Sequence, residues 1–119
     1  MNENKNCPKR YKVEHFEQIP PVPCPCGMSR RAFIGFDGRA TFHQVDIKKD
    51  AALHYHKTHY EIYLILEGKG HMELEGEIIP VEQGSTIFIQ EYCRHRALGE
   101  MKIVNVSVPA FDPADEYFD

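Results

Sequence analysis

From residue 32 onward the chain is written in short runs. Apolar and polar residues change places at every second position, and each run closes on a glycine or a turn pair. Ala32-Phe33-Ile34-Gly35-Phe36 ends at Asp37-Gly38, a strong hairpin-turn pair. Residues 41–47 read as a strand in which Phe42, Val45 and Ile47 are mixed with polar residues. Residues 60–67 are rich in aromatic and β-branched side chains and stop at Glu67-Gly68-Lys69-Gly70. In residues 71–75 Met72 and Leu74 share one face, and His71, Glu73 and Glu75 share the other. Gly76 turns the chain, residues 77–81 form another short strand, and Gln83-Gly84 turns it again. Residues 85–90 set Ile87 and Ile89 against Thr86 and Phe88, and residues 101–108 carry Val104, Val106 and Val108 on one side. Strands this short, with turn signals about every 8 to 12 residues, predict an antiparallel sandwich or barrel. No helical stripe exceeds two turns; Asp112-Pro113 suits the cap and first turn of a short helix over 112–117.

The first 30 residues have a different texture. They are polar and end in Ile19-Pro20-Pro21-Val22-Pro23-Cys24-Pro25-Cys26-Gly27. Prolines at this density forbid a helix and weaken any central strand. Residues 1–30 are therefore expected as an extended proline-rich arm, and residues 31–119 as one all-β barrel domain.

The bulk composition narrows the functional classes. The chain has 119 residues, enough for one hydrophobic core, with 42% hydrophobic and 27% charged residues. A net charge of -4 gives no global field toward nucleic acid or anionic lipid. The ends differ: residues 1–31 hold six Lys/Arg against three acids, and residues 109–119 hold four acids and no base. No run reaches the roughly 20 apolar residues of a membrane-spanning helix. The opening Met1-Asn2-Glu3-Asn4-Lys5-Asn6 lacks the apolar stretch of a signal peptide, so a cytoplasmic location is expected. In that compartment Cys7, Cys24, Cys26 and Cys93 are expected as free thiols.

The chemistry concentrates in two short segments. His54 and His56 are two apart on an expected strand, so both imidazoles leave on the same face, about 7 Å apart along the backbone. Glu61 opens the next strand, and His95 follows the strand of residues 85–90. Three imidazoles and a carboxylate make a mixed nitrogen and oxygen site. It suits one divalent transition metal (Mn, Fe, Co, Ni or Zn) with positions left for a substrate. His59 lies two residues before Glu61 and is a candidate acid or base; Tyr63 shares the Glu61 face and is a candidate pocket residue. His43 and Cys93 are weaker candidates, and Arg94 and Arg96 are expected to point away from the His95 face into solvent.

These residues resemble the two motifs of the cupin superfamily. The first is His-x-His, a few residues, Glu, six residues and Gly; here it reads His54-Tyr55-His56-Lys57-Thr58-His59-Tyr60-Glu61-Ile62-Tyr63-Leu64-Ile65-Leu66-Glu67-Gly68. The second runs from Gly to His and is matched by Gly84 to His95 with the spacing kept. Gln90 and Tyr92 stand where that family has the Pro and Gly of the turn that delivers the last His, and Gly99 stands in place of its Asn. The resemblance implies a double-stranded β-helix, a jelly-roll barrel, with His54, His56, Glu61 and His95 as metal ligands. It also implies a metalloenzyme acting on a small organic molecule, of isomerase, epimerase or dioxygenase type. A non-catalytic cupin that binds or senses a small ligand is the alternative. The form is most similar to small single-domain cupins of mannose-6-phosphate-isomerase-like kind, although the inward positions identified from the pattern offer no Arg or Lys for a phosphate. A homodimer joined through sheet edges is expected.

Overall fold

Alternation with a period of two governs every long strand, and the partner of each strand follows from which face must be hidden. The computed structural model describes residues 9–119; Cys7 and the start of the arm lie outside the described residues. The strands are β1 (Val22–Cys24), β2 (Gly27–Ala32), β3 (Thr41–Ile47), β4 (Tyr60–Leu74), β5 (Glu77–Glu82), β6 (Thr86–Ile89), β7 (His95–Leu98) and β8 (Met101–Val108). All pairings are antiparallel. One sheet runs β1-β2-β3-β8-β4, with β6 on the far side of the first half of β4. The second half of β4 leaves this sheet and pairs with β5 and β7 in the other. The two layers close over a common interior, the double-stranded β-helix that the sequence implies.

That β4 serves both sheets corrects the expected stop at residues 67–70. The strand continues through both glycines; after a bulge between Ile65 and Glu67 it still pairs with β8 as far as Gly68, and from Lys69 it pairs with β5. Gly68 and Gly70 are there for close approach rather than for a turn. A Cβ on Gly68 would lie 2.8 Å from the Glu100 carbonyl oxygen, and one on Gly70 would run into the Leu98 carbonyl oxygen.

Inside the barrel the rows across the strands change character from one end to the other. Ile47 faces Met101, and Val45, Ile103 and Ile65 form the next row. Ile65 and Met72 are completely buried, and with Ile89 and Ile103 they form the centre of the core. Each such side chain contributes about 1.5–3 kcal/mol by leaving water. The following row is polar: Arg31, His43, Asn105 and Tyr63, on four adjacent strands. Beyond it lie Thr41, Ser107 and Glu61. The apolar end holds the fold together, and the polar end carries the chemistry.

This register bears on three further features. The buried face of β8 carries Met101, Ile103, Asn105 and Ser107, so the valine stripe of residues 104–108 faces outward. The strand expected at residues 32–36 lies earlier, at β2, and the boundary drawn at residue 30 falls inside it. The described part of the arm lies along β2 and β3: the Arg30 Nη1 donates to the carbonyls of Phe16 and Ile19 at 2.9 and 3.1 Å, and Phe16 packs on Phe42. No helix forms after Asp112. The Asp112 side chain accepts from the Ala114 N–H, and the tail then runs back to pair Tyr117 with Tyr55.

Cys24 and Cys26, expected as free thiols, are joined in a disulfide. The turn between β1 and β2 holds their Cα atoms 5.2 Å apart, inside the range the bond requires. Cys93 remains a free, half-buried thiol, and burial raises its pKa.

Candidate metal centre

Residues 51–56 run antiparallel to β7 and its approach. The Ala51 N–H donates to the Ala97 carbonyl, and the Tyr92 N–H to the His56 carbonyl. Between these bonds His54 and His95 pair through both backbone groups. His54 and His56 therefore leave the same side of their segment and meet His95 from β7, as their spacing predicts. Glu61 arrives from the facing sheet on β4. All four side chains are buried.

The imidazoles are held in one tautomer by partners that can only accept. The Nδ1 of His54 lies 2.9 Å from the Ala52 carbonyl oxygen, and the Nδ1 of His95 lies 2.8 Å from that of Cys93. A carbonyl cannot donate, so each Nδ1 carries the proton and each Nε2 offers a lone pair. Burial, followed by the neighbouring His95, lowers the His54 pKa to about 4, so the ring is neutral at pH 7. One oxygen of Glu61 is fixed by the Asn105 side-chain N–H at 2.9 Å and faces the Ser107 hydroxyl at 3.4 Å. Burial alone would raise this carboxyl, but the imidazoles of His95, His56 and His59 outweigh it and hold the group down at about 2.

The remaining atoms have no partner. His56 Nε2, His59 Nε2, His95 Nε2 and Glu61 Oε1 are buried without a hydrogen bond. Such orphans are costly unless something satisfies them. Glu61 Oε1 lies 3.4 Å from His95 Nε2 and 3.5 Å from His56 Nδ1. Atoms bound at about 2.1 Å around one tetrahedral ion are separated by about 3.4 Å. His54, His56 and His95 present ligand atoms within 4.8 Å of one another, as do His56, His59 and Glu61. The donor set and spacing fit a divalent cation.

His59 and Tyr63 both reach this region. His59 is buried, with its ring 4.0 Å from that of His56, and its Nδ1 faces an Asp115 carboxylate oxygen at 2.9 Å. Burial, followed by the neighbouring His56, lowers its pKa. The Tyr63 ring meets His95 edge-on at 6.2 Å, and burial raises its hydroxyl pKa well above the ordinary value, so it is a neutral donor.

Several residues of the site were not identified from the sequence. Asp115 accepts from the Lys57 and Thr58 N–H groups and the Thr58 hydroxyl, which ties the tail across the barrel mouth. Glu116 follows it to within 4.0 Å of His56 Nε2. Asn105 and Ser107 hold Glu61, and their alternation with Ile103 on β8 was the available signal. Arg31 and Arg96 both border the cavity beside the cluster, contrary to the expectation of no cation there. Arg31 was missed because its strand was placed too late. Arg96 does not run free into solvent but is held by Glu73 at 2.7 Å. Arg94 does lie outside, stacked on Tyr55. His43 lines the cavity as well.

Comparison with known proteins agrees with this architecture. The chain is 37% identical over 75 residues to the uncharacterized protein MJ1618 of Methanocaldococcus jannaschii, a match spanning 60% of each chain. A solved protein from Planctomyces limnophilus superposes with a TM-score of 0.84 at 37% identity, over 91% of this chain and 96% of that one. Pac13 of Streptomyces, a nucleoside dehydratase, has a TM-score of 0.79 at 20% identity over 93% and 95% of the two chains. Ectoine synthase from P. lautus has a TM-score of 0.77 at 23% identity over 90% and 88%. These last two share the fold. Residues 41–106, which hold the His54, His56, Glu61 and His95 cluster, match the cupin domain, and the chain belongs to that family.

Proposed function

We propose that the protein is a metal-dependent enzyme that moves a proton on a small organic molecule, an isomerase or epimerase in type. His54, His56, Glu61 and His95 would hold one divalent ion of the Mn, Fe, Co, Ni or Zn group. The observation that carries this reading is a buried cluster of imidazoles and one carboxylate at the polar end of the barrel, in which His56 joins two triads of close ligand atoms, His54-His56-His95 and His56-His59-Glu61, and several donor atoms have no hydrogen-bond partner. When bound, such an ion supplies Lewis acidity toward a substrate oxygen. The chain's own residues supply the rest. Asp115 keeps the proton of His59 on Nδ1, so Nε2 is turned to the site as a proton acceptor. Tyr63 holds a protonated hydroxyl at the next position of the same strand face, where it can donate to a developing oxyanion. The apolar rows beneath exclude water from one side.

The Asp115–His59 pair favours proton transfer over a dioxygenase reaction, which needs open positions for dioxygen rather than an oriented base. Solvent deuterium exchange into candidate hydroxy and oxo compounds, run beside an oxygen electrode, tests this. Exchange without oxygen uptake is expected. Oxygen uptake would reassign the chemistry, and saturable binding without exchange or turnover would make the protein a sensor.

The protein is further proposed to form a homodimer. The outer face of the larger sheet carries Phe42, Val106, Ile62 and Phe88 in register, with Phe88 59% exposed. A contiguous apolar row of this kind is a natural pairing surface. It differs from the sheet edges expected from the sequence, where Pro80 already guards β5. Sedimentation at micromolar concentration should give a dimer; a monomer would reject it.

A further inference from the structure

We infer that the cavity beside the ligand cluster binds its substrate through a carboxylate group gripped by the two Nη groups of Arg31. This deepens the substrate reading of the same cavity, and it rests on that reading for the identity of the site.

Arg31 stands at one end of the polar row, on β2, next to His43 and in line with Asn105 and Tyr63. Its guanidinium is half-buried and lies 4.6 Å from the centre of the Phe111 ring, which fixes its plane. Its Nε donates to the Ser29 hydroxyl at 3.3 Å. Among the described residues no acceptor meets either Nη group, and no carboxylate lies within ion-pair distance. A guanidinium has five N–H donors, so most of this fork faces the cavity unspent. Glu116, the other acid lining the cavity besides Glu61, lies 4.0 Å from His56 Nε2; its charge also acts on Arg31, without reaching ion-pair distance.

The shape of the unspent donors selects the ligand. The other cation at the cavity, Arg96, is already bonded to Glu73. One free, planar, two-pronged cation matches one planar, singly charged carboxylate. A phosphate monoester carries about two charges and accepts from all sides, and a single fork leaves it underpaired. Val45, Ile47, Ala51 and Ile103 form an apolar part of the wall, which suits a short hydrocarbon. The substrate class is thus a small organic acid, with its carboxylate on Arg31 and its reacting carbon toward His59 and the cluster.

The test is calorimetric titration of the full-length, metal-loaded protein with butyrate, butyramide and inorganic phosphate. Butyrate should bind at least tenfold more tightly than butyramide, and more tightly than phosphate. Arg31→Met keeps the bulk against Phe111 and removes the fork; it should lose at least tenfold toward butyrate with metal content unchanged. Arg31→Lys should fall between the two. Equal binding of butyrate and butyramide by the unaltered protein overturns the inference, whether or not the variants fold, and so does tighter binding of phosphate. The same titrations on His56→Ala separate this claim from the metal reading. A butyrate preference that survives there and depends on Arg31 supports the carboxylate subsite even if no ion is ever found. A preference lost in His56→Ala and unchanged in Arg31→Met puts the carboxylate on the ion and overturns the inference.

Discussion

His54 and His95 exchange both of their backbone hydrogen bonds, at 3.1 and 2.9 Å, although 41 positions separate them in the chain. This pairing sets their rings 4.3 Å apart before any cation is considered. It also explains how the last histidine is delivered without the Pro and Gly that related sequences use in that turn. Tyr92 takes the left-handed conformation itself, at φ 70°. Its N–H bond to the His56 carbonyl, at 2.7 Å, helps hold it there.

A tyrosine in that conformation costs about 1–2 kcal/mol that a glycine does not. Glycine in turn loses about 0.5–1 kcal/mol through a freer unfolded chain. Tyr92→Gly is therefore expected to keep the metal and to gain about 0.5 kcal/mol in urea denaturation. A loss greater than 1 kcal/mol would mean that the Tyr92 ring, not the backbone pairing, builds this corner.

Gly70→Ala is expected to be among the most damaging single-methyl changes in the chain. The added carbon meets the Leu98 carbonyl oxygen, a backbone atom that cannot swing aside. Overpacking of this kind costs about 1–3 kcal/mol, and the upper end is expected here. Gly76→Ala is a useful comparison, because its Cβ has open space around it and only its φ of +84° opposes the change. Urea midpoints that rank Gly76→Ala as the more damaging change would contradict the view that β4 runs unbroken beneath β7.

His43 gives the barrel a pH dependence of known sign. Burial first, and then the Arg31 and His59 charges against those of Glu61 and Glu116, lower its pKa to about 4. The unfolded chain, with an ordinary pKa near 6.5, takes up the proton first as pH falls. Stability is thus full above about pH 6.5, declines between 6.5 and 4, and levels below 4, with up to about 3 kcal/mol at stake. His43→Gln should make this part of the profile shallower in chelator-treated protein, with the buried His54, lowered in the same way, keeping the remainder. An unchanged slope would place the titration elsewhere.

His59→Gln separates the two parts His59 could play. As the proton acceptor it should be needed for deuterium exchange and dispensable for the metal, so exchange should fall at least a hundredfold with metal content intact. Loss of the metal would instead make it a ligand in the triad with His56 and Glu61.

The common face of His54 and His56 was legible from their spacing of two on an extended chain, and Glu61 and His95 were added to them by the resemblance to the cupin motifs. The closed β-fold was legible from the same alternation. What escaped had physical causes. Arg31 was lost because prolines at 20, 21, 23 and 25 hid the hairpin that carries it. Asn105 and Ser107 escaped because the inner face of β8 turns polar near Glu61, while the apolar valine stripe lies on its outer face. Gly68 and Gly70 looked like a turn because glycine marks both a turn and a close crossing of backbones. Asp115 and Glu116 enter the site from a tail with no pattern of its own, placed by three bonds that Asp115 accepts from Lys57 and Thr58.

Metal analysis of the purified protein, alongside its His56→Ala variant, tests the central claim most directly. One divalent ion per chain is expected in the parent, and less than a tenth of that in the variant, with both folded by circular dichroism. A parent that stays metal-free after incubation with Mn, Fe, Co, Ni and Zn salts, or a variant as fully loaded as the parent, would contradict the account.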